Sequence, residues 1–153
     1  MKAYTGTKFL VIIFLVCFFG CSPTSKKIQF GTDQCAHCKM TISDSKFGAE
    51  LVTDKGKIYM FDSIECMIAF FTKSEQEVAH SFKYFWTIDY SNQGELLDAK
   101  NALYLKDDNF NSPMGMNVAS FKDISSMQKF KKKESFQLKY LEVIDIVKKE
   151  WGL

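Results

Sequence analysis

The chain has 153 residues, 46% hydrophobic and 15% aromatic, enough to bury one compact core or two very small ones and too apolar for a disordered polymer. Its 20 basic residues are all Lys, set against 18 acids for a formal charge of +2, and no stacking motif lies in a basic groove, so nucleic-acid binding has no support. No GxSxG, HExxH, P-loop or GxGxxG pattern occurs, which disfavours ordinary hydrolytic, kinase and dinucleotide chemistry.

Lys2 and Lys8 give a positive N-terminus ahead of the apolar run Phe9 to Phe19, which is too short to span a bilayer as a mature helix. The run stops at Phe18-Phe19-Gly20-Cys21. A small residue just before Cys reads as a bacterial lipoprotein signal, so residues 1–21 are expected to be a signal peptide with Cys21 as the lipid carrier. A cleaved secretory signal with Cys21 as an ordinary cysteine is the alternative. In the lipoprotein reading Cys17 is discarded and the mature domain sits outside the cytoplasmic membrane, facing the periplasm, with inner or outer membrane left open. Removing residues 1–21 takes away Lys2 and Lys8 and no acid, leaving 18 Lys against 18 Asp plus Glu. The free sulfurs are then Cys35, Cys38 and Cys66, an odd number for an oxidising compartment, so at least one is unpaired or committed to a metal or partner.

Residues 22–32, with Pro23, several Ser and Thr, and Lys26-Lys27, lack apolar periodicity and read as a tether. The segment Cys35-Ala36-His37-Cys38-Lys39-Met40 follows directly. Two thiols, an imidazole and a thioether within six residues are a soft donor set that suits Cu(I) better than a hard cation. A zinc ribbon would need a second Cys/His pair at ligand spacing, and the later Cys66 and His80 are isolated.

Phe47–Val52 and Lys57–Phe61 are strand-like runs broken by Thr53-Asp54-Lys55-Gly56, which predicts a hairpin. Asp62 or Ser63 can cap a helix from Ile64 to about Lys73, with Asp62 and Glu65 at capping-box spacing. This helix is apolar nearly all round and should be covered on more than one side. Phe82 to Tyr90 alternates as a third strand. The order then repeats: strands over 102–105 and 116–121, a helix from Asp123 to about Lys132, and a strand-like Gln137–Val147 with a short helix competing. At an offset of 60, Phe61, Ile64, Met67 and Phe70 lie over Phe121, Ile124, Met127 and Phe130. The expected fold is therefore α+β, two β-β-α-β units over about 33–92 and 93–153 joined near Ser91 to Leu97, with chance likeness of two amphipathic helices as the alternative.

Cys66 falls in the first turn of its helix, where free N–H groups favour thiolate, though a lone Cys in an apolar helix also serves as a small buried hydrophobe. Met114, in the turn Asn111-Ser112-Pro113-Met114-Gly115, is expected at a loop tip, where its thioether could hold Cu(I) and release it. Folding back to plug a core gap is the competing role. Met60, Met67, Met116 and Met127 fall on strand or helix patterns and read as core. His37 could supply nitrogen or only tune the thiols, and His80 reads as surface.

The motifs Cys35-Ala36-His37-Cys38-Lys39-Met40-Thr41-Ile42, Phe61-Asp62-Ser63-Ile64-Glu65-Cys66-Met67, Leu97-Asp98-Ala99 with Tyr104, Ser112-Pro113-Met114-Gly115 and Phe121 resemble, in that order, the NosL family of copper-chaperone lipoproteins that accompany nitrous-oxide reductase in denitrifying bacteria. The resemblance spans about Gln34 to Phe130. It implies a two-lobed fold similar to that of organomercurial lyase and Cu(I) as cargo in the periplasm. It points to Cys38 and Met40, to Cys66 and Met67, and to Met114. It also brings in nitrous-oxide reductase, or another periplasmic copper acceptor, and an associated ABC transporter as partners. Lys39 departs from the family, which commonly has Gly there; the expectation is that no positive φ is required, and that the cation beside two thiols alters affinity or acceptor contact.

The sequence thus predicts a carrier without turnover chemistry, with Cys35, Cys38 and Met40 at the front of the site, Met114 and His37 completing or gating it, and Cys66 in reserve. The competing readings are a thiol-disulfide oxidoreductase using Cys35 and Cys38, and a structural lipoprotein in which that pair is only a staple.

Overall fold

The computed structural model describes residues 24–77 and 81–153; Cys17, Cys21 and His80 lie outside them. Strands β1 (Ala49–Thr53) and β2 (Ile58–Phe61) form the expected hairpin, antiparallel from Ala49 opposite Phe61 to Val52 opposite Ile58. Its turn closes through Gly56 N to Thr53 O at 2.9 Å, with Gly56 at φ +79°, a conformation glycine adopts without steric cost. Helix α1 (Ile64–Glu77) follows, then β3 (Phe82–Ile88), which pairs with the other side of β1. A short β4 (Leu96–Asp98) completes a four-stranded antiparallel sheet in the order β2-β1-β3-β4.

The second unit has β5 (Leu103–Lys106), β6 (Val118–Phe121), helix α2 (Ile124–Gln128) and β7 (Phe136–Leu138), in a sheet of order β6-β5-β7. In both sheets the first strand of the unit is central and flanked by the second and third. The offset of 60 seen in the sequence falls on like junctions, since Phe61 and Phe121 each end a strand and Ile64 and Ile124 each open a helix. The sheets meet through Ser120, whose backbone O accepts from Tyr90 N at 2.8 Å and whose hydroxyl donates to Ile88 O at 2.6 Å and lies 2.8 Å from Thr87 Oγ1.

Four expectations need correction. Strand β4 lies where the sequence predicts only a connector, because three residues are too short a run to show a period. Helix α1 runs to Glu77, past Lys73, and α2 stops at Gln128, short of Lys132. There the chain turns instead, with Phe130 N and Lys131 N both donating to Met127 O while Phe130 docks on Tyr90 and Phe121. The strand-like Gln137–Val147 is mostly helix α3 (Tyr140–Trp151), entered through Lys139 N donating to Glu142 Oε2 at 2.7 Å. Tyr140, Val143 and Val147 are buried at helical spacing on one face, and that burial overrides the β preference of the valines.

Helix α1 is covered on more than one side, by β1, β2 and α3. The larger core therefore joins the first sheet, α1 and α3, and a smaller aromatic core around Phe47, Phe110, Phe121 and Met127 underlies the second sheet. Part of the expected tether is also seated: Ile28 is buried, Lys26 N donates to Glu50 Oε2, and Trp86 Nε1 donates to Thr24 O at 2.7 Å. Among the described residues no helix is long and apolar enough to cross a membrane.

Candidate metal centre

The cysteine segment is a tight loop stitched at its base. Gln34 and Thr41 form an isolated bridge, Cys35 N donates to Met40 O at 2.8 Å, and Ile42 N donates to Asp33 O at 2.9 Å. A 2.7 Å bond from Ala36 N to Met60 O fastens the loop to the outer edge of β2. That edge runs into Asp62, Ser63 and the first turn of α1, so the loop arrives beside Cys66. One donor atom from each of Cys35, Cys38, Asp62 and Cys66 lies within 4.8 Å of every other. Cys35, Asp62 and Cys66 are buried, whereas Cys38 is half-buried and gives the group its outlet.

Lys39 sits at φ +67°, so the expectation that this position needs no positive φ is overturned. The left-handed region costs a non-glycine residue about 1 kcal/mol, and a glycine here would avoid that cost. Lys39 N donates to Cys35 O at 3.0 Å and its Nζ to Ala36 O at 2.6 Å, which keeps the lysine folded over its own loop.

The three thiols are unlike. The Cys66 S–H donates toward the Cys35 sulfur, and the N–H groups of Asp62, Cys38 and His37 also favour its thiolate, so Cys35 titrates at about 6 despite its burial. Burial, followed by the neighbouring Cys35 sulfur and the Asp62 carboxylate, pushes Cys38 up to about 11. Its Sγ donates to Asp62 Oδ2 at 3.3 Å. Cys66 is raised as well, first because it is the donor to Cys35 and then by burial. The lowered pKa expected from its helical position is therefore reversed, because a closer acceptor outweighs the helix end. The expected capping box is also absent. Ser63 Oγ accepts from Cys66 N at 3.4 Å, leaving Asp62 to face the thiols.

His37 is not among the four clustered donors. It stacks on Trp151 at the end of α3, ring centroids 5.8 Å apart. Burial, then the charges of Lys73 and Lys39, lower its pKa against an opposing pull from Asp62. Met40 contributes its carbonyl to the loop while its side chain is 55% exposed. Met114, expected at an exposed tip, is half-buried and packs against the same core as Cys35, Cys38 and Cys66. Met67, Met116 and Met127 are buried core, and Met60, on the edge strand, is only half-buried.

Sequence reasoning missed Asp62 as a member of the group, having assigned it to capping. It also missed Glu65, which is fully buried with Oε1 accepting from Ser112 Oγ at 2.9 Å. An acid inside the otherwise apolar first turns of α1 was the available signal, because a buried carboxyl needs a partner. Asp62 Oδ1 and Glu65 Oε2 are buried without a protein hydrogen bond.

Fold and site together define a mixed α/β protein of two small antiparallel sheets that carries a cysteine-rich cluster able to take a metal ion. The chain belongs to the NosL family, whose profile matches residues 28–148. It is similar in fold to the crystal structure of the copper chaperone NosL from Shewanella denitrificans, with a TM-score of 0.63 and 21% identity over 78% of this chain and 96% of that one. The likeness to organomercurial lyase is not among these findings. No curated protein sequence matches the chain at comparable significance.

Proposed function

We propose that this protein is a Cu(I) carrier with no turnover of its own, held on the periplasmic side of a membrane by lipid on Cys21, and that it passes its cargo to nitrous-oxide reductase or another periplasmic copper enzyme. The observation that carries the reading is the convergence of three free thiols, from two segments about thirty residues apart, on one partly open spot. Thiolates select a soft monovalent ion. The cluster is not sulfur-only, since Asp62 stands within it, and a Cys₃Asp set would also satisfy tetrahedral Zn(II). Cys35, Cys38 and Cys66 supply the tight donors in this reading. Met40, in the same loop as Cys35 and Cys38, and Met114, in the loop between β5 and β6, supply the exchangeable thioethers through which an acceptor draws the ion away, and His37 stands by as a neutral nitrogen. The copper-chaperone role of the Shewanella protein of like fold supports the assignment.

Anaerobic competition with bicinchoninate tests it. The metal-free protein is expected to withdraw one Cu(I) per chain and to retain it against excess Zn(II), whereas Cys38→Ser with Met114→Leu abolishes stoichiometric uptake and leaves the fold intact. Uptake unchanged in the double variant would rule out the site. Cys21→Ser, expected to release the protein from membranes, tests the anchor. The unlike thiols of Cys35 and Cys38 are what a redox couple would also have, but Cys35 is buried and the pair lies in a loop rather than at a helix start. Rapid insulin reduction by the metal-free protein would favour that alternative.

A further inference from the structure

Glu65 has no exposed surface, although it is the second residue of a helix whose first turns are otherwise apolar. For stability alone an apolar side chain would serve better in that position, so the carboxyl needs another explanation. Its Oε1 accepts a 2.9 Å bond from Ser112 Oγ, which lies 47 residues further along the chain. Ser112 is the hub of the loop between β5 and β6. Its hydroxyl oxygen accepts from Asn117 N at 2.8 Å, its own N–H donates to Asn117 Oδ1 at 3.1 Å, and its carbonyl accepts from Gly115 N at 2.9 Å. Asn111, Gly115 and Asn117 all take positive φ, so the loop closes tightly upon itself. Met114 is two residues from Ser112, and Cys66 is the chain neighbour of Glu65.

We propose that Glu65 is a positioning residue that ties the Met114 loop to the first turn of α1, so that a thioether from the second sheet and the thiols beside the first sheet reach one ion. The inference rests on the carrier reading given above. Removing the tie leaves the thiols in place and frees the loop. The cost therefore falls on the contribution of Met114 and not on uptake as such.

The test is a set of full-length variants measured by bicinchoninate competition, together with amide exchange of the metal-free protein. Glu65→Ala and Ser112→Ala are each expected to weaken Cu(I) binding about tenfold, the scale of one buried hydrogen bond to a carboxyl group. Each should also speed exchange at the Gly115 and Asn117 amides. Glu65→Gln, which keeps a carbonyl acceptor for Ser112, is expected to restore both readouts. In a Met114→Leu background, Glu65→Ala should cause no further loss of affinity. If Glu65→Ala leaves affinity unchanged, or costs as much in the Met114→Leu background as in the wild-type chain, the positioning role is overturned while the carrier reading stands. Ser112→Ala decides the matter if Glu65→Ala fails to fold. A wild-type protein that takes up no Cu(I) would overturn the carrier reading, and this inference with it.

Discussion

Glu50 gives a prediction that does not involve copper. It lies on β1 directly between Met60 and Trp86 of the flanking strands and has no exposed surface. Its Oε2 accepts from Lys26 N at 3.2 Å, and its Oε1 has no hydrogen bond. Burial pushes the carboxyl from 4.5 up to about 7, against the smaller opposing effect of the Lys26 N–H. Because the folded-state value is raised, its contribution to stability is whole below the unfolded value and is lost as the pH rises through about 7. The displacement corresponds to about 3 kcal/mol. Glu50→Gln cannot ionise, yet it keeps an oxygen for Lys26 N. In urea unfolding, wild type should lose about 3 kcal/mol relative to Glu50→Gln between pH 4 and pH 8.5. All other titrating groups are common to both chains and cancel. A stability difference that stays constant across that range would refute the reasoning.

Two further outcomes follow from the cysteine loop. Lys39→Gly relieves a left-handed lysine at the cost of extra freedom in the unfolded chain, so it should raise stability by about 0.5–1 kcal/mol, or roughly 2–3 °C in Tm; a lower melting temperature would contradict the assigned strain. Thiolate absorbance of the metal-free protein should rise in one step near pH 6 and in a second near pH 11. Cys35→Ser should abolish the first step, and Cys66→Ala, by removing the S–H donor, should move it upward. By linkage the Cys35 thiolate stabilises the fold fully above pH 9 and loses that contribution as the pH falls through 6. Cys38 acts in the opposite sense, its contribution whole below pH 9 and lost through about 11.

Much of the architecture was legible because its elements bury one face in a regular rhythm. The β1–β2 hairpin, the start of α1, β3 and the β5–β6 pair follow from period and turn chemistry. The 60-residue offset was visible because the same strand-to-helix junction is built twice. Strand β4 was too short to announce itself. Over Gln137–Val147 a helix is only the competing reading of the sequence, because valine and isoleucine favour strands, and packing on α1 decides for the helical face. At the site, Cys35 and Cys38 were legible from local spacing. Asp62, Glu65 and the paired role of Cys66 were not, because their meaning depends on neighbours at least two dozen residues away in the chain.

The amino-acid sequence by itself determined the donor chemistry of this protein: soft sulfur concentrated in one hexapeptide, a lone cysteine at a helix start, and a thioether in a glycine-bounded turn. Only the tertiary structure decided which donors share a site and in what protonation state. Pairing of the loop with the edge of β2 brings Cys35 and Cys38 against Asp62 and Cys66, and within that partly open group the Cys35 thiol is lowered while those of Cys38 and Cys66 are raised. Those shifts are set by distance and desolvation, two quantities that exist only once the chain has folded.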